Sequence, residues 1–338
     1  MPIIFFNFYG FPVAVKSDKE EVLTDIHRDF SYFRTEPVEA RARLELFADY
    51  GRRDLLPRLK ATLQTPRNLV YRNGEASYLD YFGRGLAIYQ SQEGRYEIYC
   101  GDRDLAHEIA FLTILSLVGQ HLDAIGLHRV HALGVETGGL AVLILLPMGG
   151  GKTTLALQLL CSEEIKLLSE DSPLISGNGE VFPFPLRLGV RVGGEPSGIP
   201  SQYLRTVKRM EFGPKTLIDI GNFKDKIASS CPAGAILLGE RWLAGPSSIR
   251  PVGRRRAINE FIKNSVVGLG LYQGMEFLLQ RSAWEILGRV GVAFSRLRNS
   301  LKVIERSQVY RFAIGPDAKE SAEVLVKFLR GFSPPPAT

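Results

Sequence analysis

The chain has 338 residues, room for two domains of ordinary size. A content of 45% hydrophobic and 23% charged residues is that of an ordinary soluble globular protein and argues against a disordered or fibrous chain. The net charge of +6 is spread along the sequence, and the one dense run, Arg254–Arg256, reads as a solvated face and not as a nucleic-acid footprint.

Cys100, Cys161 and Cys231 are odd in number and scattered, with no C-x-x-C and no histidine pair at ligand spacing. Neither a disulfide framework nor a zinc site is expected. The apolar start MPIIFFNFYGFPVAV lacks a basic leader and is interrupted by Asn7, Gly10 and Pro12, so it reads as a hairpin around Tyr9–Gly10 and not as a signal peptide. The longest apolar helix candidate, Ile109–Val118, is too short to cross a bilayer. The expected address is the cytoplasm, with no membrane and no nucleic acid as partner.

In chain order, Ser17-Asp18-Lys19-Glu20 reads as a capped start to a helix through Phe30, Arg41–Phe47 alternates as a strand, and a helix is expected near Arg52–Leu63. Asn68–Arg72, Ser77–Phe82, Leu86–Gln90 and Tyr96–Cys100 read as strands, with turns at Arg72-Asn73-Gly74-Glu75 and Glu93-Gly94. Asp102–Leu122 reads as a helix capped by Asp102 or Asp104. This divides the chain into an N-terminal α+β accessory or recognition domain (1–101), a nucleotide-binding domain (102–332) and a tail (333–338).

The second domain opens on two strands, Arg129–Val135 and Leu140–Leu146, joined at Glu136-Thr137-Gly138-Gly139. Pro147 to Gly151 break the apolar run, and Lys152-Thr153-Thr154 open an apolar-periodic helix. Strand, glycine loop and helix are the context of a phosphate-binding loop. Gly149, Gly150 and Gly151 let backbone N–H groups turn onto an anion, and the helix N-terminus adds partial positive charge. Lys152 would reach the outer phosphates, Thr153 would sit on magnesium, and Thr154 completes the loop's end. Leu146 stands where G-x-x-x-x-G-K-[ST] begins with glycine.

Ile165–Leu168 is the next strand, and Glu170 and Asp171 follow its carboxyl end, where α/β sheets gather ligands. One carboxylate there can hold magnesium and another can take the proton of an attacking hydroxyl. Pro173–Ser176 and Val181–Phe184 read as strands about Gly177-Asn178-Gly179, and GGEPSGIP (193–200) as an exposed loop. Thr216–Ile220, Ala235–Leu238, Ile249–Val252 and Val309–Ile314 are further strands. Helices are expected at Arg255–Val267, around Met275–Arg289 and at Lys319–Leu329. Arg187, Arg191 and Arg241 are candidate anion clamps, and His27, His107 and His121 fall on predicted helices as structural residues.

A strand hairpin ahead of the loop and an acidic pair soon after the loop helix resemble HPr kinase/phosphorylase and, more loosely, the phosphoenolpyruvate carboxykinase-like kinases. The resemblance covers residues 125–192, and His131 matches the histidine that precedes the loop in that family. It implies a mixed-sheet α/β P-loop kinase domain, with Lys152 and Thr153 for nucleotide and magnesium. It further implies Glu170 as the base, Asp171 as the second carboxylate and metal partner, and His131 as the residue that orients the base. Leu146, Met148 and Glu170 depart from the family's Gly, Ser and Asp. The implied activity is transfer of the γ-phosphoryl group of Mg-ATP to a hydroxyl, a serine of a protein or peptide or a small-molecule acceptor, by an enzyme of a family that can oligomerise. The rival expectations are a nucleotide-binding regulatory protein with a decayed site and a plain NTPase, for which Leu217-Ile218-Asp219 is a faint second motif.

Overall fold

In the computed structural model, Tyr9 and Gly10 take left-handed backbone, at φ 52° and 85°, and turn β1 (Ile3–Phe8) back onto β2 (Phe11–Ser17). The structure describes residues 1–48, 56–74, 76–147, 150–194, 198–208, 213–262 and 283–332, with backbone alone for 283–289. After β2, α1 (Glu20–Asp29) carries the chain over to β3 (Ala42–Phe47), which pairs parallel to β2, as a crossover helix allows. The expected cap is used elsewhere. Ser17 Oγ accepts from the Lys19 amide at 3.0 Å, and both Asp18 oxygens accept from the Ala48 amide at 2.8 and 3.0 Å, tying the helix start to the end of β3.

An antiparallel meander follows: β4 (Ala61–Gln64), β5 (Leu69–Arg72), β6 (Ser77–Asp80), β7 (Leu86–Gln90) and β8 (Arg95–Tyr99). The sheet has eight strands in the order β1-β2-β3-β8-β7-β6-β5-β4. The helix expected near Arg52–Leu63 is corrected at its described end. Pro57 removes a helix donor, residues 57–60 are irregular, and Ala61–Gln64 is an edge strand in which Thr62 Oγ1 donates to Val70 O at 3.0 Å. Residues 52–55 of that expectation, and Glu75 of the predicted turn, lie outside the described residues.

Asp102 Oδ1 accepts from the Leu105 amide at 3.1 Å and starts α2 (Arg103–Ala124). This helix is longer than its apolar stretch suggested and is apolar enough by length and composition to cross a membrane, yet 78% of its apolar window is buried inside the protein. Phe111 stacks on Phe30 at 5.2 Å, Phe30 meets Phe8 at 5.4 Å, and Tyr89 OH bonds Thr113 Oγ1 at 2.6 Å. Those contacts join α2 to the strands and helix before it. Among the described residues one unit holds Met1–His121, Arg191–Gly221 and 283–285, and the other Leu122–Val190, 222–262 and 286–332.

The second unit begins with β9 (His128–Arg129), β10 (Leu133–Thr137) and β11 (Leu140–Leu145). The strand expected over Arg129–Val135 is broken, because the Val130 and Ala132 amides leave the ladder and donate to Pro173 O at 3.0 Å and Asp171 O at 3.2 Å. Gly138 and Gly139, at φ 57° and 79°, form the two-residue turn of the β10–β11 hairpin. Next come α3 (Lys152–Leu159), β12 (Lys166–Ser169), β13 (Leu174–Ile175), β14 (Glu180–Phe182) and β15 (Leu188–Arg191). The hairpin of β16 (Leu204–Val207) and β17 (Lys215–Ile218) belongs to the first unit. The chain then continues through β18 (Cys231–Arg241), β19 (Ser248–Pro251), α4 (Arg255–Phe261), α5 (Ala283–Arg306), β20 (Gln308–Ile314) and α6 (Ala318–Arg330).

One of these helices differs from the reading. Of Arg255–Val267 and Met275–Arg289, residues 263–267 and 275–282 lie outside the described residues, as does the tail 333–338. Helix α5 runs on to Arg306 past Gly288 and Gly291, with Arg296, Asn299, Ser300, Val303 and Ile304 forming its buried stripe. Together the two units are mixed α/β with mixed sheets.

In the second unit's sheet, β18 lies between β11 and β20 and is parallel to both, so their carboxyl ends share one edge. β10 is antiparallel to both β11 and β12, and Ser169 at the end of β12 pairs with Gly134. The chain therefore leaves β12 at the same edge where it leaves β11. Val130, Leu143, Leu145, Leu168, Ile236 and Leu238 are part of the apolar layer beneath that edge.

Candidate functional site

The loop after β11 is tightened by the Gly150 amide, which donates to Pro147 O at 2.9 Å. A Cβ on Gly150 would stand 2.8 Å from that same oxygen, so only glycine fits. Gly151 occupies the N-cap of α3 at φ 90°, and the Leu155 amide closes the first helical turn on Gly151 O at 2.9 Å. Met148 and Gly149 lie outside the described residues. The first amides of α3 have no partner within the helix and point at the loop, as any helix start does.

Lys152 is buried, and its Nζ lies 2.6 Å from His131 Nε2 and 3.3 Å from Asp171 Oδ1. An ammonium group only donates, which would make Nε2 the acceptor of this contact. His131 Nδ1 is 3.2 Å from Asp171 Oδ1, close but off the hydrogen-bond line. The two amides flanking His131, bonded to Asp171 O and Pro173 O, are what hold the ring opposite the acidic turn. Burial raises the Asp171 pKa, but His131 and Lys152 outweigh it and hold the carboxyl below its ordinary value.

Thr153 Oγ1 donates to Glu170 Oε1 at 2.5 Å. The structure thus brings Lys152, Thr153, His131, Glu170 and Asp171 together, with the pairs crossed relative to expectation. Thr153 is joined to Glu170, where Asp171 was expected, and His131 faces Asp171, where Glu170 was expected. Thr154 is exposed on the first turn of α3. Arg187 lies just ahead of β15 and Arg191 ends it.

Three contributors were missed or under-read. Ser169 Oγ donates to Phe184 O at 2.8 Å and accepts from the Ser172 amide at 3.1 Å, so it pins the turn that carries Glu170 and Asp171. Its signal was a serine at the strand end three residues before another. Leu146, at the place of the loop's first glycine, is buried against β18. A Cβ on Gly239 would come within 2.0 Å of Leu146 Cδ2, so Gly239 is the seat that accepts the larger residue. Arg241, two residues on, points Nη1 to within 3.6 Å of the Cβ position of Gly151.

His128 resembles His131 in sequence but has a different setting. Its Nδ1 lies 2.9 Å from Asp123 Oδ1 and its Nε2 2.8 Å from Ser295 Oγ, an order of groups also found in nucleophilic triads. Its side chain is 0% exposed, and Arg296 clasps the same aspartate, so the group ties α2, β9 and α5 together instead of meeting a substrate. The remaining histidines, read as structural, make contacts away from the loop: His107 meets Asp29 at 2.7 Å, His121 meets Tyr9 O at 3.0 Å, and His27 meets Arg34 at 3.5 Å.

Among the described residues no three His, Cys, Asp or Glu side chains gather as a metal site. Magnesium asks for less, because it keeps several waters and takes one or two protein oxygens beside phosphate. Thr153 Oγ1 with Glu170 Oε1 is a donor pair of that kind. No family model matches the chain, and no curated protein matches it.

Proposed function

We propose that the chain is an ATP-dependent kinase of the HPr kinase-related type, acting in the cytoplasm on a hydroxyl of a protein, peptide or small molecule. The observation that carries this reading is the meeting, at one sheet edge, of a glycine-bounded helix start with Lys152, Thr153 and two carboxylates. Lys152 and the first amides of α3 would hold the β- and γ-phosphates, and Thr153 with Glu170 would hold Mg2+. Bound magnesium supplies charge neutralisation between those phosphates.

Asp171, kept ionised by Lys152 and His131, is the carboxylate we assign as base, and His131 the residue that orients it. This reverses the roles expected of Glu170 and Asp171, on the strength of the Thr153–Glu170 hydrogen bond and the His131–Asp171 approach. In the reaction the acceptor oxygen forms a bond to the γ-phosphorus as the bond to the β–γ bridging oxygen breaks. The hydroxyl proton passes to Asp171, and ADP leaves with the bridging oxygen.

The test is transfer of label from γ-labelled Mg·ATP to components of host extract, with Glu170→Gln and Asp171→Asn beside the wild type. The expected result is a discrete labelled acceptor with wild type, a raised magnesium requirement for Glu170→Gln, and loss of rate with retained nucleotide binding for Asp171→Asn. Leu146 at the glycine position favours a second reading, a nucleotide-controlled regulator. Tight Mg·ATP binding without any transfer of label would establish it in place of the kinase.

A further inference from the structure

The cations around the loop are not equally occupied. Lys152 is held by His131 and Asp171. Arg311, across from the end of β18, is spent on Glu240, to which it donates at 2.8 and 2.6 Å. The Arg241 side chain is exposed and, among the described residues, makes no hydrogen bond or ion pair. Yet its guanidinium lies over the N-cap of α3, 3.6 Å from where a Gly151 side chain would begin.

That position is built by the fold. Residues 239 and 241 fall on the same face of β18, because strand side chains alternate. Gly239 lacks a side chain where Leu146 packs, so the contact that seats the loop's first residue on β18 also turns Arg241 toward the loop's last glycine. A guanidinium unpaired among the described residues, beside the first amides of α3, meets whatever anion those amides hold. The amides and helix start serve the inner phosphates, while a side chain arriving from a neighbouring strand meets the phosphate that projects beyond them. Its planar fork suits a phosphate's two oxygens.

We infer that Arg241 binds the terminal phosphate of the nucleotide, a guanidinium supplied in cis by β18. The assignment rests on the nucleotide-binding reading above, and its test separates the two. Calorimetric titrations of the full chain with Mg·ATP and with Mg·ADP compare wild type, Arg241→Ala and Arg241→Lys. Arg241→Ala is expected to weaken Mg·ATP about tenfold or more, the worth of a charge-assisted hydrogen bond, while Mg·ADP stays within about twofold. Arg241→Lys restores part of the ATP affinity through charge alone, and it also serves as the probe should the alanine variant melt early. A merely structural role would not split ATP from ADP. Equal loss for both nucleotides, or none for either, overturns the assignment and leaves the nucleotide reading standing. Wild type that binds neither nucleotide overturns both.

Discussion

In the first unit Arg205 gathers Asp25 at 3.1 Å and Asp219 at 3.4 Å and donates a direct hydrogen bond to Asp29, while Arg28 and Arg103 approach Asp219 and Asp25 from outside. In the second unit Lys152 gathers His131 and Asp171, with Glu170 and Arg241 beside it. Both clusters mix basic groups, carboxylates and a histidine. The Arg205 cluster is closed: Asp25, Asp29 and Asp219 are buried, and His107 also reaches Asp29. The Lys152 cluster stands at the carboxyl edge of a sheet, with the Asp171 side chain 46% exposed and Arg241 unpaired among the described residues. Charge alone therefore does not mark a site; charge left open beside a helix start does.

The sharpest way to break the comparison is to remove each central cation. Lys152→Ala should lower phosphoryl transfer about a hundredfold or more, the scale of losing a preorganised charge at the transferred group, with little change in melting temperature. Arg205→Ala should do the opposite, taking the shared central cation from three buried carboxylates and costing about 3–5 kcal/mol in a urea titration. If Arg205→Ala is harmless, the closed cluster is not structural. Next in size is Gly239→Ala. A methyl would collide with Leu146 and cost about 1–3 kcal/mol by overpacking, and the added Leu146→Ala should recover much of that loss.

Smaller, but opposite in sign, are two pH dependences. Burial, with His128 and Arg296 outweighing it, leaves the Asp123 carboxyl below its ordinary value. Its contribution is present above about pH 3.9 and is lost as pH falls through the depressed value. Burial and the charge of Asp29 raise the Asp219 pKa despite Arg28 and Arg205. That contribution is whole below about pH 3.9 and is lost as pH rises through the raised value. Urea midpoints taken from acid to neutral pH should lose their acid decline in Asp123→Asn and gain relative stability toward neutral pH in Asp219→Asn. The smallest effect is chemical. Burial pushes the Cys231 thiol up to about 12 and raises Cys100 as well, whereas Cys161 is exposed. A disulfide reagent should titrate Cys161 alone in the native protein, the other two only after unfolding.

The loop, its hairpin and the acidic turn were legible because each has a local cause. Gly138-Gly139 admits positive φ, the run Leu140–Leu145 is apolar throughout, and an acid pair ends the next strand. The pairing within the site was not legible. Which carboxylate meets Thr153 depends on where β12 ends against β10 and on amide bonds from residues 130 and 132, contacts made across the chain. The seat for Leu146 depends likewise on a glycine far along the sequence. The packing of α2 was not legible because Phe111 and Thr113 look like generic helix residues until Phe30 and Tyr89 are beside them. The long helix α5 was cut short because Gly288 and Gly291 resemble stops, which tertiary packing overrode.

The measurement that tests the central claim most directly is transfer of the γ-phosphoryl group from labelled Mg·ATP in host extract, comparing wild type with Lys152→Ala. The account predicts one or a few labelled acceptors with wild type and none above background with the variant. Equal labelling by the two proteins, or none by a wild type that binds Mg·ATP, would contradict it.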